Sequence, residues 1–326
     1  MNWKTSLLII CCCFLACNSS NKNATLKKDV NASVSDDDDG INYVSKDHIV
    51  EVDELERLIG SNHIKIIHFG KPEEYAAAHI PSAINIWRTD IESNQFPYKG
   101  MIASKQKIEA LFSNLGIANT DTLLVYDNVA SCDAARLWWV LQNYGFNSVR
   151  ILNGGLKAWK AKGGILTAEK TLIKTSSFKL PEKAPMLTYF TKEEMLAAIN
   201  KNDSVVVLDT RTVDEFTGKR QKIGASSAGR IPKSKLVNWA DCVNYNGDKK
   251  FKSPKVLSEI YDDILRNKKD NVITYCHSGV RSAHTTFVLT ELLGYKNVKN
   301  YDGSWVEWSY FKDYPKEKDL VTTILH

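Results

Sequence analysis

Residues 272–282 read Val272-Ile273-Thr274-Tyr275-Cys276-His277-Ser278-Gly279-Val280-Arg281-Ser282. The apolar run ending at Tyr275 suits an interior strand, and Ala283, Phe287, Val288, Leu292 and Leu293 recur at helical spacing. The stretch therefore predicts a buried strand, a cysteine, a tight loop and a helix from Ser282 onward. Cys276 at the mouth of a helix faces backbone N–H groups that have no intrahelical partner. Those dipoles, together with Arg281, stabilise an anion and draw the thiol below its free pKa of about 8.5. Gly279 allows a turn that most side chains resist, so residues 276–281 make a small semicircular nest. A lone cysteine is usually buried and inert. An anion-holding loop around it argues instead for a nucleophile acting on anionic substrates.

Working outward, the chain is an internal duplication. With Tyr126-Asp127 set against Tyr275-Cys276, the two halves run without a gap to Trp159 and Trp308. On that register Ala134 matches Ala283, Gly145 matches Gly294, Val149 matches Val298 and Gly154 matches Gly303. Upstream, residues 68–75 parallel residues 209–216, and His79-Ile80-Pro81 parallels Arg230-Ile231-Pro232, with about ten extra residues in the second copy. Strands are expected at residues 64–69 and 123–126 in the first copy, with helices at 105–115 and 134–144. In the second, strands fall at 205–208 and 272–275, and helices at 192–199, 254–265 and 282–293. Strands alternating with helices imply an α/β fold, each copy a parallel sheet with helices on both faces. At roughly 120–140 residues each copy is one domain.

The copies differ where the chemistry would be. Asp127 stands for Cys276, Gly70 for Arg211 and His68 for Asp209. An aspartate is no sulfur nucleophile, so the first domain is expected to be catalytically silent, stiffening the second and closing one side of its pocket. Cys132, in register with Arg281, reads as a small structural thiol, and Cys242 as an unreactive one.

This combination resembles the tandem-domain rhodanese family of sulfurtransferases over essentially everything from about Asn42 onward. The carrying motifs are the Cys276-to-Arg281 loop, Asp209-Thr210-Arg211, Tyr301-Asp302-Gly303-Ser304-Trp305, His79-Ile80-Pro81-Ser82-Ala83 and Leu152-Asn153-Gly154-Gly155. The resemblance implies two rhodanese-like domains and a thiosulfate sulfurtransferase with Cys276 as nucleophile. His277, Ser278, Gly279, Val280 and Arg281 would surround the donor, and cyanide or a thiol would accept the sulfur in ping-pong fashion. Four residues separate Cys276 from Arg281, against five in cysteine phosphatases, whose wider ring takes phosphate. The serine at 278 is shared with mercaptopyruvate sulfurtransferases, which form the alternative; Arg281 and Glu215 depart from their pattern. A redox- or sulfur-sensing binding module is a further alternative.

Supporting residues carry two readings each. Asp209 and Arg211 either bind substrate or, the preferred reading, form an internal ion pair bracing the loop. Arg220, Lys222 and Arg230, with Trp239, line the pocket mouth as donor-binding cations or form a solvated basic face. Trp138, Trp139, Trp159, Trp305 and Trp308 are read as core and inter-domain packing. No Cys/His spacing suggests a metal site, and no cofactor is expected.

Residues 1–17 form a lipoprotein-type signal, with Lys4 in a positive region and a ten-residue apolar stretch, Leu7 to Ala16, too short to span a bilayer. Cys17 is the expected acylated residue, and 18–40 a polar tether that cannot bury a core. The remaining segments are 41–163 (silent domain), 164–187 (linker) and 188–326 (catalytic domain). The expected location is the bacterial cell envelope, lipid-anchored on the periplasmic or outer face, or soluble periplasmic if the signal is an ordinary one. After processing only Cys132, Cys242 and Cys276 remain, which argues against a disulfide framework. A net charge of +5 without clustered basic and aromatic runs excludes nucleic acid as a partner.

Overall fold

The computed structural model describes residues 43–201, 205–319 and 323–324. The expected signal, Cys17 and the polar stretch to Gly40 lie outside the described residues. The first half runs β1 (Ile49–Val50), α1 (Val52–Leu58), β2 (Ile64–Phe69), α2 (Pro72–Ala77), β3 (Ile84–Ile86), α3 (Lys105–Asn114), β4 (Thr122–Tyr126), α4 (Cys132–Asn143), β5 (Val149–Leu152) and α5 (Gly155–Ala161). The second runs β6 (Tyr189–Phe190), α6 (Lys192–Asn200), β7 (Val205–Asp209), α7 (Val213–Phe216), β8 (Arg220–Gln221), β9 (Lys235–Leu236), α8 (Pro254–Tyr261), β10 (Asn271–Tyr275), α9 (Val280–Phe287), β11 (Asn297–Tyr301), α10 (Ser304–Tyr310) and β12 (Thr323–Ile324).

Each half is a parallel five-stranded sheet, ordered β1-β5-β4-β2-β3 in the first and β6-β11-β10-β7-β9 in the second. The orders correspond strand for strand, and so does the register: His68 pairs with Tyr126 as Asp209 pairs with Tyr275. The central strands read as unbroken apolar runs because helices cover both faces. A conserved detail of the repeat lies below each loop. The Tyr126 hydroxyl accepts from the Ile80 N–H at 3.0 Å, and the Tyr275 hydroxyl from the Ile231 N–H at 3.1 Å.

The expected helix from Ser282 begins two residues earlier, at Val280, because Gly279 adopts φ +76° and turns the chain straight into it. Its continuation over Val288–Leu292 is a π-helical turn. Helix α8 stops at Tyr261 rather than running to Leu265. The segment expected to be a linker is laid down as a strap on the first half. Phe178 and Leu180 are buried there, with Phe178 against Phe112 and Phe146, and the Leu180 N–H donates to Glu109 at 2.9 Å.

The halves meet through α4 and α9, with Trp138 edge-on to Phe287 at 4.9 Å. Nearly all of α4 is buried, which is why its Trp138-Trp139-Val140-Leu141 run is apolar on every side. Smaller bonds cross in both directions. The Phe251 N–H donates to Asn153 at 2.9 Å, and the Ile102 N–H, its counterpart in the repeat, donates to Asp302 at 2.8 Å.

Candidate active site

Cys276 is the first residue after β10 and is buried. The loop that follows is held from behind by Ser304, at the start of α10. Its hydroxyl accepts from the N–H of Cys276 at 3.1 Å and of Gly279 at 3.0 Å, and donates to the Tyr301 carbonyl at 2.8 Å. Ser304 itself sits at φ +51°, a strained conformation that brings the hydroxyl under the loop. With those two N–H groups turned to Ser304, the N–H groups of Ser278 and Ser282 face the sulfur. Complete burial pushes the Cys276 thiol up. The Arg281 charge, the Ser282 hydroxyl and the N–H groups of Ser282 and Ser278 outweigh it, and the net shift is downward.

Arg281 does not stand open to an incoming anion, as the sequence suggested. Its two terminal nitrogens grip the Glu215 carboxylate at 2.7 and 2.8 Å, a fork that holds the guanidinium in place. Burial opposes ionisation of Glu215, but the Arg281 bonds and charge hold its carboxyl below the usual range. Glu215 is in turn placed by a capping box with Thr212 on α7. His277, the first residue after the cysteine, turns inward rather than into solvent. It is buried with its Nε2 at 2.9 Å from the Ile223 carbonyl, and burial, then Lys222, bring its pKa down to about 3. It is neutral at physiological pH and packs the loop. Lys222 stands at the rim: the residue is exposed overall, yet desolvation and then Arg281 pull its ammonium below the ordinary range, with Glu215 and Cys276 opposing. Lys222 thus shares a field with Cys276.

The equivalent loop of the first half shows what such a loop is shaped to hold. Both oxygens of Asp127 point into the corresponding loop. One accepts from the N–H groups of Val129 and Ser131, each at 2.9 Å; the other accepts from those of Asp133 at 2.7 Å and Ala134 at 2.9 Å. The cradle is thus complete in the first half and filled by the chain's own carboxylate.

The remaining predicted residues are placed as follows. Asp209 and Arg211 form a buried pair with bonds of 2.8 and 2.6 Å, extended by the Tyr275 hydroxyl at 2.6 Å and the Gly229 carbonyl at 2.7 Å. Arg211 also lies over the Trp305 ring at 4.9 Å. Arg230 is engaged by Glu317 and Asp319 and lies over the Phe216 ring, so its charge serves the C-terminal segment. Arg220 is half-buried in β8, paired with β12. Ser278 is half-buried, with Gly100 of the first half against its Cβ. Cys132 and Cys242 are buried; desolvation pushes the first thiol well up and the second to about 12, where it contacts the Tyr261 hydroxyl at 3.2 Å. Sequence reasoning missed Ser304 and Glu215 as clamps. The repeat register carried a signal for the first, since Ser304 matches Gly155, which has φ +55°.

This is the architecture of a tandem α/β protein with one thiolate-bearing anion loop, and comparison places it. The model of the rhodanese-like domain matches residues 51–162 and again 191–310. The chain belongs to the rhodanese family, in its tandem form. It is 35% identical over 250 residues to a Saccharopolyspora erythraea protein with a provisional thiosulfate sulfurtransferase name, covering 74% of this chain and 86% of that one. It is 30% identical over 283 residues to the thiosulfate sulfurtransferase of Corynebacterium glutamicum, covering 84% and 92%. The fold matches Tum1 of Saccharomyces cerevisiae with a TM-score of 0.74 at 20% identity, over 83% of this chain and 98% of that one.

Proposed function

We propose that the protein is a thiosulfate sulfurtransferase working through a persulfide on Cys276. The Cys276 thiolate attacks the outer sulfur of thiosulfate; the sulfur–sulfur bond breaks and its electron pair leaves on sulfite. Cyanide or a thiol then attacks the terminal sulfur of the persulfide, and the electron pair returns to Cys276. Splitting the transfer in two gives ping-pong kinetics, and the loop N–H groups hold the terminal sulfur as an oxyanion hole holds oxygen. The observation that carries this reading is the buried thiol of depressed pKa inside a nest of inward N–H groups. The names of the relatives support the donor.

The test is thiocyanate formation from cyanide, with thiosulfate and 3-mercaptopyruvate compared as donors. Turnover with thiosulfate is expected, and Cys276→Ser removes it. Preference for mercaptopyruvate would reassign the donor, and no turnover with either would end the catalytic reading.

The proposed setting is the bacterial cell envelope, with a lipid on Cys17. The short apolar stretch ending at that cysteine supports it. Growth with a fatty-acid analogue is expected to label the protein, and Cys17→Ser to abolish the label; an unlabelled wild type would remove the anchor.

A further inference from the structure

We propose that Arg136, on helix α4 of the silent domain, is a positioning residue for the sulfur-transfer loop, orienting the Gly279–Val280 peptide so that its N–H faces the persulfide. The proposal rests on the sulfurtransferase reading and adds a role for the first domain within it.

The Asp127 loop supplies the geometry. In a persulfide, the terminal sulfur is two bonds from Cβ. In aspartate, a carboxylate oxygen is also two bonds from Cβ. The Asp127 oxygens therefore stand where the outer sulfur stands in the other half. One of them accepts from the Ser131 N–H at 2.9 Å. Ser131 matches Val280 in the repeat. The Val280 N–H is thus a donor to the outer sulfur, provided that the Gly279–Val280 peptide is turned the right way.

A peptide unit is planar, with C=O and N–H pointing in opposite directions. Fixing the Gly279 carbonyl outside the loop therefore turns the Val280 N–H inward. That carbonyl accepts from three donors: Arg136 Nη1 at 3.3 Å, Asn300 Nδ2 at 3.2 Å and, as the first helical bond of α9, the Ala283 N–H at 3.3 Å. Arg136 is itself locked. Its Nη2 donates to Asp302 at 2.6 Å and to the Gly100 carbonyl at 2.7 Å, its plane lies over Trp139 at 4.7 Å, and only 2% of it is exposed. The fit leaves no slack: a Cβ on Gly279 would come within 2.8 Å of Arg136 Nη1 and 2.6 Å of the Asp302 carbonyl. The Phe251–Asn153 and Ile102–Asp302 bonds are reciprocal in this repeat, but this one is not. The position matching Arg136 is Thr285, so the fork runs only toward the half that carries the cysteine.

Arg136→Lys tests this in the full chain. Lysine keeps the charge for Asp302 but has no planar fork to reach the Gly279 and Gly100 carbonyls as well. Removing a direct oxyanion donor costs about a hundredfold or more in kcat. Misdirecting one is expected to cost about tenfold in kcat for thiocyanate formation, with KM for thiosulfate little changed. Mass spectrometry of donor-loaded protein is expected to show a persulfide lost about tenfold faster than in wild type. The pH profile of Cys276 alkylation, which needs no donor, is expected to move upward. A variant with wild-type profile and turnover would overturn the role, as would one with lowered Tm and an unmoved profile in the folded protein. Should Arg136→Lys not fold, Arg136→Met with Asp302→Asn removes both buried charges together and carries the same measurements. If wild-type protein transfers no sulfur, the functional reading fails, and the alkylation profiles still decide for or against Arg136.

Discussion

Arg281 lowers the pKa of Cys276 from a fixed position, with Glu215 occupying its terminal nitrogens. It acts as a charge beside the sulfur, and Lys222 is an exposed cation that interacts with the same thiol. Replacing Arg281 by Met is therefore expected to raise the Cys276 pKa, read from the pH dependence of iodoacetamide alkylation. The sign follows from the charge: without the cation the thiolate is less stable, and alkylation falls off at a higher pH than in wild type. The other two thiols among the described residues report the opposite environment. Burial pushes Cys132 well up and Cys242 to about 12. Brief alkylation of native protein at neutral pH is thus expected to modify Cys276 alone, as peptide mapping will show; equal labelling of Cys242 would contradict the assigned environments.

At the scale of elements, the strand–loop–helix unit is completed by α10, whose first residue holds the loop from beneath. Ser304→Ala leaves the N–H groups of Cys276 and Gly279 buried without their acceptor. The expected loss is about 2 kcal/mol of stability, measured by urea unfolding, together with slower turnover. Much of this arrangement was legible beforehand. The apolar runs at 64–69 and 272–275 marked interior strands because strands buried on both faces need little else. The repeat register located the silent loop because Asp127 and Cys276 follow the same tyrosine. Short pieces such as β1, β6 and β9 were not legible, since two residues carry no periodicity. The same limit hid the partners of charged side chains. Arg281 meets Glu215 and Arg136 meets Gly279 across 66 and 143 positions of chain, and only the folded topology brings them together.

The whole molecule stands on one interface. Helices α4 and α9 share a continuous apolar core drawn from both halves. Thermal unfolding is expected to show one calorimetric transition, and two separated transitions would mean that the halves are independent. Stability also has a predictable pH dependence. Burial holds His68 down to about 4, and His277 and His284 to about 3. These values lie below the unfolded value of about 6.5, so the unfolded chain takes up protons first as the pH falls. Stability is full above that value and drains below it, by about 2 kcal/mol for the three between pH 7 and 6. Asp133, raised to about 6 by burial, works in the opposite sense and flattens the curve further down. A Tm series across this range checks the slope, and His284→Leu is expected to reduce it by about one third. The aspartate in the first loop has a consequence for descent. A duplicated catalytic loop that merely lost its thiol would be left with inward N–H groups and nothing to satisfy them, and would be pressed to collapse. Asp127 fills its loop from within, so the first copy needs no bound anion to keep those N–H groups satisfied and can serve as a rigid partner whatever its twin holds.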